Sequence, residues 1–219
     1  MTARARGPNI LRGALVSIDQ NKPTPSVIPF YYNPAMLKRT LQPQMVGGEQ
    51  GDRSEAVRFT GAPVETIEVE VELDATDALE KDNQTAVSYG LYPQLAALEL
   101  LMYPQSAQIV QIDSLLAQGV MEVMPLTSPR LIFVWGARRG LPVRLTNYSI
   151  SEDGFDANLN PIRATVTLAM RVLNYTDLNS NTRDYHQFLA YQQAMEAISG
   201  SSAASNPGQL IGTDRSTFL

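Results

Sequence analysis

Pro63-Val-Glu-Thr-Ile-Glu-Val-Glu-Val-Glu-Leu-Asp74 decides the fold. Ile67, Val69, Val71 and Leu73 alternate with Thr66, Glu68, Glu70 and Glu72. Successive side chains of a strand point to opposite faces, so four apolar groups meet a core while three carboxylates line the other side, about 7 Å apart. Like charges at that spacing repel unless water, salt or a cation screens them. A candidate partner is Ile162 to Val172, with Ile162, Ala164, Val166, Leu168, Met170 and Val172 on one face and Arg163, Thr165, Thr167 and Arg171 on the other. Pairing the two strands buries both apolar faces in one core. It also sets Glu68, Glu70 and Glu72 beside Arg163 or Arg171, which helps to fix register.

The remainder of the chain suits a globular protein built on that sheet. Its 219 residues are 44% apolar and 18% charged, enough for one good core plus tails. No apolar run approaches the roughly 18 residues of a membrane span, and the first residues lack the apolar stretch of a secretion signal, so a cytosolic protein is expected. With no cysteine and one histidine, His186, a single chain offers no thiolate metal site, multi-histidine site or histidine-paired triad. A net charge of -5 argues against nucleic acid as the main partner. Arginine supplies 14 of the 17 cations, which favours planar contacts at interfaces.

Residues 1–13 form a basic arm carrying Arg4, Arg6 and Arg12. A short strand is expected over Ala14 to Asp19 and another over Val27 to Tyr32, where Pro29 confines it to an edge or a bulge. Asn33-Pro34 then predicts a turn and a short helical piece through Ala35, Met36 and Leu37. A long glycine-containing loop follows from Gln42 to Arg58. After a polar segment at Glu80 to Thr85, Leu95 to Tyr103 has the spacing of a helix packed on the sheet. Ile109 to Leu116 fits either a helix or irregular structure, and Met121 to Leu126 fits a short strand.

Pro129 to Gly136 is a continuous apolar run holding the single tryptophan, and predicts a strand buried on both faces with Trp135 largely buried. Ala137-Arg138-Arg139-Gly140 then reads as a basic hairpin turn into a partner strand, Leu141 to Ile150. Asp184 is a candidate N-cap for a helix over Tyr185 to Ile198, in which Phe188, Leu189, Met195 and Ile198 make an apolar stripe. The Gly/Ser/Ala/Asn/Pro tract from Ser199 to Gly208 has too little apolar content to fold alone.

No catalytic, cofactor or metal constellation emerges. The glutamate row is regular and lacks the desolvated asymmetry that acid/base chemistry needs. Gly136-Ala-Arg-Arg-Gly140 is neither a P-loop nor a dinucleotide fingerprint, and Asp74-Ala-Thr-Asp77 and Asp153-Gly-Phe-Asp156 lack the ligand pattern of a calcium loop. His186 is expected at the surface. The reading is non-enzymatic, with no cofactor.

Four stretches taken in order carry a family resemblance. They are Phe30-Tyr31-Tyr32-Asn33-Pro34, then Gly61-Ala-Pro-Val-Glu65 with its strand ending Leu73-Asp-Ala-Thr76, then Leu131-Ile-Phe-Val-Trp-Gly136, and Phe155-Asp156 with Pro161-Ile-Arg-Ala164. Over roughly residues 10–175 the chain resembles the tube-domain family of contractile injection systems, which are phage-tail-like particles. The resemblance implies a mainly β (α+β) domain, a tail-tube-like antiparallel sheet or barrel with one packed helix, over residues 14–175. A C-terminal extension follows over 176–219. It also implies a structural baseplate protein related to tube initiators, in about six copies in a ring, contacting other baseplate and tube subunits. Family members commonly continue into a LysM module with a Tyr-x-Val-x-x-Gly-Asp-Thr/Ser-Leu run. Residues 176–219 contain no such run, so glycan binding does not carry over.

The candidate interface residues are Arg4, Arg6 and Arg12 of the arm, Tyr31 and Tyr32, Arg138 and Arg139, and Phe188, Leu189, Met195 and Ile198. The last four are expected to dock on a different baseplate subunit, leaving a folded tube domain if residues 176–219 are deleted; the alternative is docking on the chain's own sheet. Two other readings stand beside this one: the main inner-tube subunit, and a soluble ligand or glycan module using Trp135 with Tyr31 or Tyr32.

Overall fold

A computed structural model describes residues 12–19, 24–30, 33–45, 58–119 and 128–202. Among them are seven strands: β1 (Ala14–Ile18), β2 (Ser26–Pro29), β3 (Leu37–Gln42), β4 (Val64–Asp74), β5 (Arg130–Trp135), β6 (Arg139–Phe155) and β7 (Pro161–Val172). The helices are α1 (Thr76–Glu80), α2 (Gln84–Tyr89), α3 (Tyr92–Glu99), α4 (Ser106–Ala117) and α5 (Arg183–Ser202). The strands form one sheet in the order β2-β1-β5-β6-β7-β4-β3, and every neighbouring pair is antiparallel. The fold is mainly β with flanking helices, as the alternating patterns predict.

The expected pairing of β4 with β7 is present. Thr66 lies opposite Arg171, Val71 opposite Val166 and Asp74 opposite Arg163. Ile67, Val69, Val71 and Leu73 of β4 share one core with Ala164, Val166, Leu168, Met170 and Val172 of β7. Burying each larger aliphatic side chain contributes about 1.5–3 kcal/mol, so this pair of strands anchors the fold. Leu15 of β1, Leu131 and Phe133 of β5, and Leu141 and Val143 of β6 extend the same cluster. The sheet curls over it far enough that Val27 to Phe30 at the β2 edge line a common cavity with Val71 and Leu73 of β4 and Leu98 of α3.

Several local expectations change. Residues 33–36 are irregular, and Leu37 opens a strand where a short helix was expected. The alternation of Leu37 and Arg39 with Lys38 and Thr40 satisfies the free edge of β4, and that pairing outweighs local helix propensity. β5 is fully buried on one face only, at Leu131 and Phe133; Trp135 is half-buried and stacks on Phe133 at 5.8 Å between ring centroids. The hairpin turn spans residues 136–138, with Gly136 at φ +69°, so Arg139 and Gly140 already belong to β6.

β6 runs on to Phe155 through a bulge between Leu145 and Asn147. Leu141, Val143 and Leu145 turn inward before it, whereas Tyr148 and Ile150 pack against the core after it. The extra residue, Thr146, shifts the alternation by one.

Between β4 and β5 the helices exceed the one packed helix expected there. α1 and α2 flank the stretch read as polar, Glu80 to Thr85, and each overlaps one end of it; Asn83 caps α2, its Oδ1 accepting from the N–H groups of Thr85 (3.0 Å) and Ala86 (3.4 Å). α3 takes the expected packed position with Pro93 in its first turn, and Leu95 and Leu98 are buried. The ambiguous stretch around residue 110 is helical, as α4, and buries none of its residues. The strand expected at Met121 to Leu126 lies outside the described residues.

Candidate assembly surfaces

Two surfaces flank β4. On its outer face, Glu68, Glu70 and Glu72 are exposed in a row. Their cross-strand partners on β7 are Ala169, Thr167 and Thr165. The cation beside them comes from β3: Lys38 Nζ donates to Glu68 Oε2 at 2.8 Å. Arg163 instead meets Asp74 at 3.2 Å, and Arg171 meets Asp177 at 2.8 Å. The two arginines therefore sit at the ends of the glutamate row, on the same sheet, and close their ion pairs with aspartates. Register explains this: nine positions pair between β4 and β7, and they put Arg163 and Arg171 opposite Asp74 and Thr66.

Asp74 also accepts from the Thr76 backbone N–H at 2.7 Å. Hydrogen bonds from the Thr76 side chain and backbone hold its carboxyl below the usual carboxylate range, with Arg163 adding to the effect.

The inner face of β4 carries a residue the alternation argument passed over. Glu65 shares the parity of Ile67, Val69, Val71 and Leu73 and is 6% exposed. Its Oε1 accepts from Arg39 Nε at 2.6 Å, and Arg39 Nη2 donates onward to the Tyr191 hydroxyl of α5 at 3.3 Å. The Glu65 hydrogen bond pushes the Arg39 pKa up. A carboxylate on the apolar parity was the available signal, since such a group must find a cation to be buried.

This network is one of three ties that hold α5 to the sheet. Arg130 of β5 engages Asp184 with two nitrogens, Nε donating to Oδ2 at 2.7 Å and Nη2 to Oδ1. Gln187 Nε2 donates to the Gly140 carbonyl at 3.0 Å. Asp184 is thus a first-turn residue committed to an ion pair, and Thr182 takes the capping place, its Oγ1 accepting from the Tyr185 N–H at 3.4 Å.

Phe188 and Tyr191 are buried in the chain's own core, Phe188 edge-on to Tyr175 at 6.2 Å. Phe188 is therefore buried on its own chain instead of being exposed for a second subunit as expected. Leu189 is half-buried beside it. Met195 and Ile198, further along, are exposed. Met195 shares a groove of about 430 Å³ with exposed Leu41 and Phe59.

The remaining candidates are separate. Arg12 is exposed at the start of β1, Arg138 is exposed in the β5–β6 turn, and Arg139 is half-buried. His186 is exposed, its ring edge-on to Tyr185. Arg4, Arg6, Tyr31 and Tyr32 lie outside the described residues. Trp135 gives one face to Phe133 and packs close to Gly13, where a Cβ would come within 2.7 Å of its ring. No described helix is long and apolar enough to cross a membrane.

A single curled antiparallel sheet with ionic ties and exposed apolar edges suits a subunit that builds a larger particle, and comparison with known proteins agrees. No curated protein matches the chain. A family model described as contractile injection system tube protein matches residues 14–181, from the first residue of β1 to just before α5. The chain therefore belongs to the contractile injection system tube protein family, whose members are structural tube-type subunits that assemble with other subunits of the particle.

Proposed function

We propose that this chain is a baseplate component that connects the inner tube and spike hub to the surrounding baseplate, in several copies forming a ring. Residues 14–175 are its tube domain, and residues 176–219 are an extension that first clasps that domain and then leaves it. One observation carries the reading. α5 lies past the matched residues, is fixed to the sheet by Asp184, Phe188 and Tyr191, and continues for another two to three turns, along which Met195 is 41% and Ile198 46% exposed. A helix projecting this way needs a surface for its apolar side chains, and a neighbouring baseplate subunit supplies one.

The runner-up is the main inner-tube subunit, which the same family membership supports. Copy number separates the two. Particles assembled with the full chain should contain a few copies at one end; a copy number that grows with tube length selects the tube subunit and rejects the baseplate role. In the full chain, Met195→Glu with Ile198→Glu should leave thermal stability unchanged while lowering occupancy in purified particles, measured by quantitative mass spectrometry. Normal occupancy of that variant rejects the docking role of α5.

A further inference from the structure

The outer face of β4 is a half-filled groove. It encloses about 410 Å³ between the segment Asn33 to Met36 on one side and Glu68, Glu70 and Glu72 on the other. Lys38 answers Glu68, but among the described residues Glu70 and Glu72 form no ion pair, and the residues opposite them, Thr167 and Thr165, are neutral. The groove wall therefore carries three carboxylates against one cation, and Met36 at its rim is 75% exposed.

The start of the described chain lies at this groove. The N–H of Gly13 donates to Asn33 Oδ1 at 3.0 Å, and Asn33 is itself a groove residue. The segment preceding Gly13, Met1-Thr-Ala-Arg-Ala-Arg-Gly-Pro-Asn-Ile-Leu-Arg12, contains three arginines and no acidic residue. From Arg12, an extended chain reaches about 20 Å to Arg6 and about 27 Å to Arg4, more than the roughly 14 Å from Glu68 to Glu72. Arg4 and Arg6 are two residues apart, as are Glu70 and Glu72, so in extended form both pairs have the same spacing of about 7 Å.

We propose that the basic arm of this same chain, through Arg4 and Arg6, occupies the β4 groove against Glu70 and Glu72. The carboxylate row then serves as a cradle that parks the arm on its own subunit. Matching charge and the short path from Gly13 set the location, and the attraction is of the screened surface kind, so added salt releases the arm.

Two measurements on the full chain test this. Brief trypsin treatment, followed by intact mass, reports cleavage after Arg4 and Arg6. At low salt the variant Glu70→Gln/Glu72→Gln should be cut about five-fold faster than the parent, the size expected when two screened ion pairs are lost, and about 0.5 M salt should erase the difference. Equal rates at low salt overturn the proposal. The second measurement leaves the carboxylates intact. Because the chain has no cysteine, Ala5→Cys with Thr167→Cys introduces a single pair, one on the arm and one in the groove. Oxidation should give a cross-link within one chain, seen as a faster-migrating monomer on a non-reducing gel. Cross-links formed only between copies, or none at all, overturn the same-chain assignment.

Discussion

Replacing Phe188 with alanine tests how α5 is held. The ring is 8% exposed, lies edge-on to Tyr175 and covers the Val172 end of β7. Truncating a buried phenylalanine typically costs about 3–5 kcal/mol through lost transfer energy plus the cavity left behind. Here one side of the ring borders the open groove shared with Leu41, Phe59 and Met195, so water enters the vacated space and the cavity contribution shrinks. The lower end, about 3 kcal/mol, is therefore expected, equivalent to roughly 6–12 °C in Tm for a domain of this size. Denaturant melts of purified protein followed by far-UV circular dichroism measure it, with the slope unchanged if only stability moves. Ile198→Ala is the control: its side chain is 46% exposed and should stay within about 0.5 kcal/mol of the parent. Should Phe188→Ala also fall within about 0.5 kcal/mol, α5 is not clamped on its own sheet in solution. The same packing means that deleting residues 176–219 removes part of the core, so truncation is a poorer probe of docking than substitution at Met195 and Ile198.

Arg39→Met leaves Glu65 buried without its cation and should cost about 3 kcal/mol or more, while Arg39→Met/Glu65→Met should recover most of that loss; a double variant as unstable as the sum of the singles contradicts the pairing, and denaturant melts of the set decide it. Gly90 sits at φ +56°, and a Cβ there would lie 2.3 Å from the Pro161 carbonyl oxygen, which accepts from the Leu91 N–H at 2.8 Å. Gly90→Ala should therefore destabilise by at least about 2 kcal/mol, and a neutral thermal melt refutes the strain. Asp74 has its pKa depressed by Thr76 first and Arg163 after, so the unfolded chain binds its proton more readily. Its contribution is present above the usual carboxylate pKa of about 4 and is lost as pH falls through the lower folded value, so Asp74→Asn should flatten the acid limb of a stability-against-pH curve. An unchanged acid limb refutes that.

The sheet was legible where period-two alternation was long and clean. β4 and β7 each carry enough alternating residues for the pattern to set both face and pairing, and Pro29 located β2 at an edge. The short strand β3 was hidden because Asn33-Pro34 speaks locally for a turn and helix, while what orders Leu37 to Gln42 is the vacant edge of a strand some thirty residues later. α1 and α2 are short and polar, leaving only the cap at Asn83 as a local sign. At the candidate surfaces, the acidic row was legible from spacing alone. Its true cation, Lys38, depends on β3 pairing and could not be read without that strand. The stripe of α5 was found, but it is buried at Phe188 and exposed at Met195 and Ile198, and periodicity does not say where along a helix burial ends.

The single added residue at Thr146 imposes a rule of parity on the outer part of β6. Thr146 restores the inward phase for Tyr148 and Ile150 only because it is unmatched on β7, where Leu145 and Asn147 face the consecutive residues Met170 and Ala169. Losing one residue between Leu145 and Tyr148 would therefore remove the bulge and leave a regular ladder, with Tyr148 and Ile150 still opposite Leu168 and Val166 and still facing the core. Losing two would put Tyr148 directly after Leu145 and swap every later side chain of the strand between wet and dry. The bulge thus holds one residue of slack, and beyond it the far arm of β6 keeps its faces only through changes of length in even steps, about 7 Å each and matched on β7.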